Sequence, residues 1–225
     1  MTKRDKNPAP VVLSEKPLDA KALEGAALAI ALVYAHLPKA YDYMSETKGG
    51  FASFIKNVGA AKKAGLRIEA VTPAARSNSN SLQEIPALLA RLNINVWRVA
   101  PASFACRARA KNKQELIARF AVASRRLGLA AKTAFEAGIN FELYSWPLCL
   151  LPAGINNAKN SSTPLSFLKK TEANILPITN EPLFFPEKCS TCELKAECPG
   201  FESEYISLYG DEEAVPFKKE QSKQP

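Results

Sequence analysis

The chain has one histidine, His36, two methionines and two tryptophans in 225 residues, and several common patterns are missing from it. No stretch approaches the roughly 18 apolar residues of a membrane-spanning helix. The longest apolar run, residues 26–35, is too short to span and predicts a strand covered on both faces. Residues 1–10 are charged and lack the apolar core of a secretory signal, which predicts a reducing, cytoplasmic setting and disfavours disulfides. No aromatic residues interleave the basic ones, as a stacking platform for bases requires, and this argues against nucleic acid as a partner. A second C-x2-C pair, the usual mark of a structural zinc ribbon, is also absent.

The five cysteines are unevenly placed. Cys189, Cys192 and Cys198 follow a C-x2-C-x5-C spacing, and Cys149 lies upstream in Trp146-Pro147-Leu148-Cys149. Two thiolates two residues apart can point at one centre while the loop's amides turn toward the sulfurs, an arrangement used by zinc and by iron–sulfur clusters alike. The x5 gap and the Cys198-Pro199 pair favour a cluster, with zinc or a set of buried thiols as the alternatives. Cys106 stands apart as an incidental thiol.

The net charge of +8 is not evenly spread. Arg107, Arg109, Lys111, Lys113, Arg119, Arg125, Arg126 and Lys132 are opposed only by Glu115, whereas Glu193, Glu197, Glu202, Glu204, Asp211, Glu212 and Glu213 make the cysteine region acidic. The basic stretch 107–132 reads first as a solvated helix face, and second as a surface for a partner.

Period and punctuation predict alternating elements. Residues 1–16 form a flexible leader and 17–24 a short helix. Strands fall at 27–34, 66–71, 94–99 and 139–144. Helices lie between them: Phe51 to Gly65, Ser81 to Leu92, and a stretch through Phe120 that continues to Gly138. Four strands alternating with helices predict an α/β fold with a parallel sheet, too few strands to close an eight-stranded barrel. A helix carrying Phe201, Tyr205 and Tyr209 should pack against it, and residues 218–225 form a disordered tail.

Several motifs carry a family resemblance. Tyr34-Ala35-His36 with Tyr41-Asp42 and Gly50-Phe51, then Ala64-Gly65-Leu66-Arg67-Ile68 with Asn80-x-Leu82, then Pro147-x-Cys149, lead to Cys189-x2-Cys192-x5-Cys198-x-Gly200, Tyr205, Tyr209-Gly210 and Pro216. From about residue 32 to 217 this order resembles the C-terminal half of radical S-adenosylmethionine enzymes with an auxiliary-cluster domain of the SPASM or Twitch type. The resemblance implies a partial, TIM-like parallel barrel over 17–146. A small irregular cysteine-rich module over 147–217 would follow, holding a 4Fe-4S cluster through Cys149, Cys189, Cys192 and Cys198.

The family's C-x3-C-x2-C loop, which holds the cluster that cleaves S-adenosylmethionine, has no counterpart among these cysteines. S-adenosylmethionine is therefore expected only if a partner supplies the missing half. That partner would be a separately encoded N-terminal half or a complete radical enzyme, pairing with an open edge at 27–34, and the substrate a peptide or other small molecule. A noncatalytic adaptor or a zinc-binding interaction protein is the alternative reading. No catalytic residue is assigned. His36, Thr72, Asn78 and Arg98, with Ser103, fall at or just after strand ends, where parallel barrels carry their sites, and are the candidates for cofactor contact. Each has a plainer role available: packing for His36, a helix cap for Asn78 and Asn80, an ion pair for Arg98, and for Asp42 a loop turn.

Overall fold

The computed structural model describes residues 10–102, 117–152, 155 and 183–218. Ser103, Cys106, the basic residues 107–113, Glu115 and Leu116 lie outside the described residues, as do 1–9 and 219–225.

Five parallel strands form one sheet: β1 (Val11–Leu13), β2 (Leu28–Leu32), β3 (Arg67–Ala74), β4 (Val96–Pro101) and β5 (Asn140–Leu143), paired in sequence order. The fold is α/β, as the alternation predicts. Parallel neighbours need crossover connections, and these contain α1 (Pro38–Ser45), α2 (Gly50–Lys63), α3 (Ile85–Arg91) and α4 (Phe120–Glu136). A last helix, α5 (Ser203–Tyr209), follows the cysteines.

The sequence reading needs two corrections. Val11–Leu13, inside the stretch read as a flexible leader, is a strand that pairs Val11 with Ala29 and Leu13 with Ala31. Val11 and Leu13 are buried on the same side of the strand while Val12 between them is not, so three residues suffice to add an edge. β2 is consequently an interior strand paired on both sides rather than the open edge expected there, and among the described residues β1 is the edge strand. The helix read as continuing from Phe120 to Gly138 is α4, a single helix of 17 residues.

Local chemistry explains the helix boundaries. α1 begins with Pro38 in its first turn, where a missing N–H costs nothing. Asp42 then caps the next helix: its carboxylate accepts from the Gly49 N–H at 2.6 Å and the Phe51 N–H at 2.8 Å, satisfying amides that have no partner inside α2. Residues 79–92 divide into a tight turn, Ser79–Glu84, and the short α3, and Asn78 places no side-chain cap on them. The inner stripe of α4 is mostly alanine, Ala123, Ala130, Ala131 and Ala134, which lets the helix lie close to its neighbours.

The pairing register sorts side chains onto two faces. Trp97 and Phe141 share one face with Ala31 and Ala70, and Phe135 of α4 meets Phe141 there with ring centroids 6.5 Å apart. Ile30, Leu32, Glu69, Val71, Arg98 and Glu142 share the other. Glu69 is nearly enclosed, and Arg98 pairs with it and with Glu142 at 2.8 Å across three strands.

Candidate functional site

Cys149 is positioned by the end of β5. After Ser145, which adopts a left-handed backbone with φ 49°, the buried Trp146 indole donates to the Ser124 hydroxyl of α4 at 2.9 Å and to the Leu150 carbonyl at 3.1 Å. Ser124 itself donates to that carbonyl. This three-way tie pins the turn Leu148–Leu150, and with it Cys149, to the helix behind the sheet.

The other three thiols come from a tight turn, Glu187–Thr191, and the loop after it. An antiparallel bridge between Phe184 and Phe201 closes the base of this segment. Gly200 sits at φ 81° where a Cβ would stand 2.7 Å from the Phe184 carbonyl oxygen, so only glycine fits the crossing. Phe201, Tyr205, Phe120 and Trp146 form an aromatic block, with Phe120 ring centroids 4.8 Å from Trp146 and 5.8 Å from Phe201. The Tyr209 hydroxyl donates to the Ile117 carbonyl at 2.7 Å, and Arg119 lies over the Tyr209 ring. The tyrosine stripe read from the sequence thus packs the cysteine-bearing segment onto the start of α4.

Backbone amides face two of the four sulfurs. The Leu148 N–H donates to Cys198 Sγ at 3.4 Å and the Phe217 N–H to Cys192 Sγ at 3.4 Å. Burial pushes the Cys149 thiol above its ordinary pKa, nearby Cys198 and Cys192 push it further, and the Val215 amide and its own oppose the rise. Burial also raises Cys189, followed by Cys149, Cys192 and Cys198, with Lys195 opposing. All four thiols are free and lie within electrostatic reach of one another. Among the described residues, no three His, Cys, Asp or Glu side chains are gathered as a group that could hold a metal ion.

A cavity of about 60 Å³ adjoins the segment at the C-terminal ends of β3, β4 and β5. Ala74, Pro101, Phe120, Trp146, Gly200 and Tyr205 give it a largely apolar wall, with Ser145 and Glu202 as polar points.

The four strand-end candidates are not gathered at that cavity, and three are engaged elsewhere. Thr72 is fully buried and accepts from the Trp97 indole at 2.9 Å. Asn78 donates to the Tyr34 and Pro73 carbonyls at 2.8 Å each and accepts from the Ala75 N–H at 2.9 Å, bracing the ends of β2 and β3. Arg98 is held by its two carboxylates, with the Tyr144 ring 5.9 Å away. His36 is partly exposed, yet its Nδ1 is buried without a hydrogen-bond partner, as is Oε2 of Glu15 after β1.

Sequence reasoning missed the partners of Arg98, because Glu69 and Glu142 become neighbours only through strand register. It also missed Phe217, whose contribution is a backbone N–H and carries no residue-type signal.

No protein-family model matches the chain. A comparison with curated proteins gives no match either.

Proposed function

We propose that the chain binds an iron–sulfur cluster of the 4Fe-4S kind through Cys149, Cys189, Cys192 and Cys198. In this reading it is the auxiliary-cluster half of a radical-SAM-like enzyme that modifies a peptide or small substrate. The observation that carries the reading is the pair of amides aimed at Cys192 and Cys198. A neutral buried thiol needs little from its surroundings, whereas a thiolate that ligates iron is stabilised by N–H donors.

The donor chemistry, four free thiols within electrostatic reach of one another, is the kind that a cluster takes, although the described side chains are not gathered as a metal-holding group. When bound, such a cluster supplies a one-electron store. The chain's own residues would do the rest: Trp146 and Ser124 fix Cys149, the aromatic block keeps water from one side, and the cavity beside Gly200 receives the substrate's apolar part. The sequential parallel sheet is compatible with a partial barrel, and residues 147–217 would be its cluster-binding module. S-adenosylmethionine chemistry belongs to a partner that brings the missing C-x3-C-x2-C loop.

A second reading, a noncatalytic adaptor, is favoured by the outer face of α4, where Val122 and Leu129 are about half exposed beside Arg125 and Lys132.

The deciding experiment is anaerobic reconstitution with iron and sulfide analysis and electron paramagnetic resonance, alongside Cys149→Ala. About four irons and four sulfides per chain, with a spectrum altered by Cys149→Ala, is the expected result. Zinc, or no metal, would overturn the cluster and leave the adaptor reading.

A further inference from the structure

We propose that the cavity at the C-terminal ends of β3, β4 and β5 binds a short aliphatic amine, with a chain of about three carbons against its apolar wall and the ammonium on the Glu202 carboxylate and the Ser145 hydroxyl. The inference rests on the reading of this cavity as the place of the substrate and deepens it; the thiols play no part in it.

Size sets the first limit. The cavity holds about 60 Å³, well below the roughly 150 Å³ that takes a benzene ring in a protein interior, so a short chain fits and an aromatic ring does not. Ala74, Pro101, Ala102, Ile117, Phe120 and Trp146 supply the carbon lining. These walls are held in place from outside the cavity. The Ala102 N–H donates to the Ala74 carbonyl at 3.0 Å and joins two strand ends. The Trp146 indole is tied to Ser124 and to the Leu150 carbonyl, and Phe120 meets both Trp146 and Tyr205 at ring-centroid distances of 4.8 Å. Close-packed interiors leave few such spaces, and one whose walls cannot move in to fill it is ready for a ligand.

Charge sets the second. Among the described residues, Glu202 is the one charged residue that lines the cavity, and it is half-buried. It stands at the N-cap of α5 without capping the helix through its side chain. Glu202 has interactions of its own, but an ionised carboxylate offers about four acceptor sites and no donor, which leaves room for an ammonium. Ser145 is the other polar point. It leads the chain out of β5 at φ 49°, a left-handed backbone uncommon for a residue with a side chain, and among the described residues its hydroxyl makes no hydrogen bond. Both groups accept hydrogen bonds and one carries negative charge, so the polar end of the ligand is a donor and a cation. An anion would meet the carboxylate with no cation in the lining to offset it.

The test uses the full chain, free of metal, titrated with propylammonium, 1-propanol, propionate and benzylammonium and followed by nuclear magnetic resonance. Propylammonium should bind roughly tenfold more tightly than 1-propanol, the size expected of a charge-assisted hydrogen bond, and propionate and benzylammonium should not bind. Glu202→Gln should remove the preference for the amine and leave 1-propanol binding as it was, which also shows that the variant is folded. Ala118→Leu, at a half-buried lining position, should weaken both ligands by filling the space. Equal binding of the three-carbon compounds, or a preference for the amine that survives Glu202→Gln, would overturn the ammonium site. Benzylammonium binding as tightly as propylammonium would overturn the size limit, and no binding of any probe would overturn the cavity as a ligand site. Iron does not enter the measurement, so a chain that takes up no cluster can still bind the amine, and a chain that ignores the amine can still hold a cluster.

Discussion

Phe120 and Tyr205 are joined twice. Their ring centroids lie 4.8 Å apart, and the Phe120 N–H donates to the Tyr205 hydroxyl at 2.9 Å. That N–H is the first of α4 and has no acceptor within its own helix. The hydroxyl then donates to Glu213, so a single phenol links α4, α5 and the tail.

Tyr205→Phe keeps the ring packing and removes the link. The helix amide is left buried without its partner, at a cost of about 1–3 kcal/mol. Thermal unfolding of the variant should show a clear drop in Tm. Tyr209→Phe, which spares the helix amide, should lower it less.

Arg98→Met should be among the most destabilising substitutions in the sheet. It leaves the enclosed Glu69 carboxylate with only the exposed Arg67, 3.2 Å away, as a cation, so the loss approaches the roughly 3–5 kcal/mol of a broken buried pair as an upper bound. Adding Glu69→Gln to Arg98→Met should recover part of the loss, and denaturant titration of the two variants checks both statements. A double variant no better than Arg98→Met would mean that the pair is dispensable.

Gly200→Ala should destabilise the cysteine-bearing segment. The left-handed backbone and the 2.7 Å approach to the Phe184 carbonyl both oppose a side chain. Limited proteolysis should cut between residues 183 and 218 faster than in the parent protein, with the sheet surviving longer.

The raised thiols give a pH dependence with a definite sign. Burial first, and neighbouring thiols second, keep Cys149 and Cys189 protonated in the folded, metal-free protein to higher pH than in the unfolded chain. Unfolded thiols titrate near about 8.5. Below that pH both states hold their protons and the contribution to stability is full. Above it the unfolded chain releases protons first, and stability falls as pH rises toward the folded pKa. Tm measured anaerobically should decline from about pH 8.5 upward, and less steeply in a Cys149→Ala, Cys189→Ala double variant.

Much of the fold could be read from local pattern. The run 26–35 announced β2, and glycines at 65 and 138 marked where helices give way to strands. β1 could not be read this way, because three residues show no periodicity and depend on Ala29 to Ala31 for their pairing. The cysteine spacing identified the thiol set. The geometry around it was hidden for a physical reason: its donors are main-chain amides, and its struts, Lys188 to Asp211 and Trp146 to Ser124, join residues far apart in sequence. Asn78 follows the end of β3, but Thr72 and Arg98 lie inside strands that run on to Ala74 and Pro101, and the hydrogen bonds of all three hold the sheet together rather than converge on the cavity.

The order of the strands bears on how the chain is made. Each one lies against the strand before it, so a nascent polypeptide leaving the ribosome can dock every new unit onto a surface that is already complete. The thiol site departs from this neighbour-by-neighbour growth. Cys149 must wait for Cys189, Cys192, Cys198 and finally Phe217, so the proposed metal-binding centre is the last piece to close during synthesis.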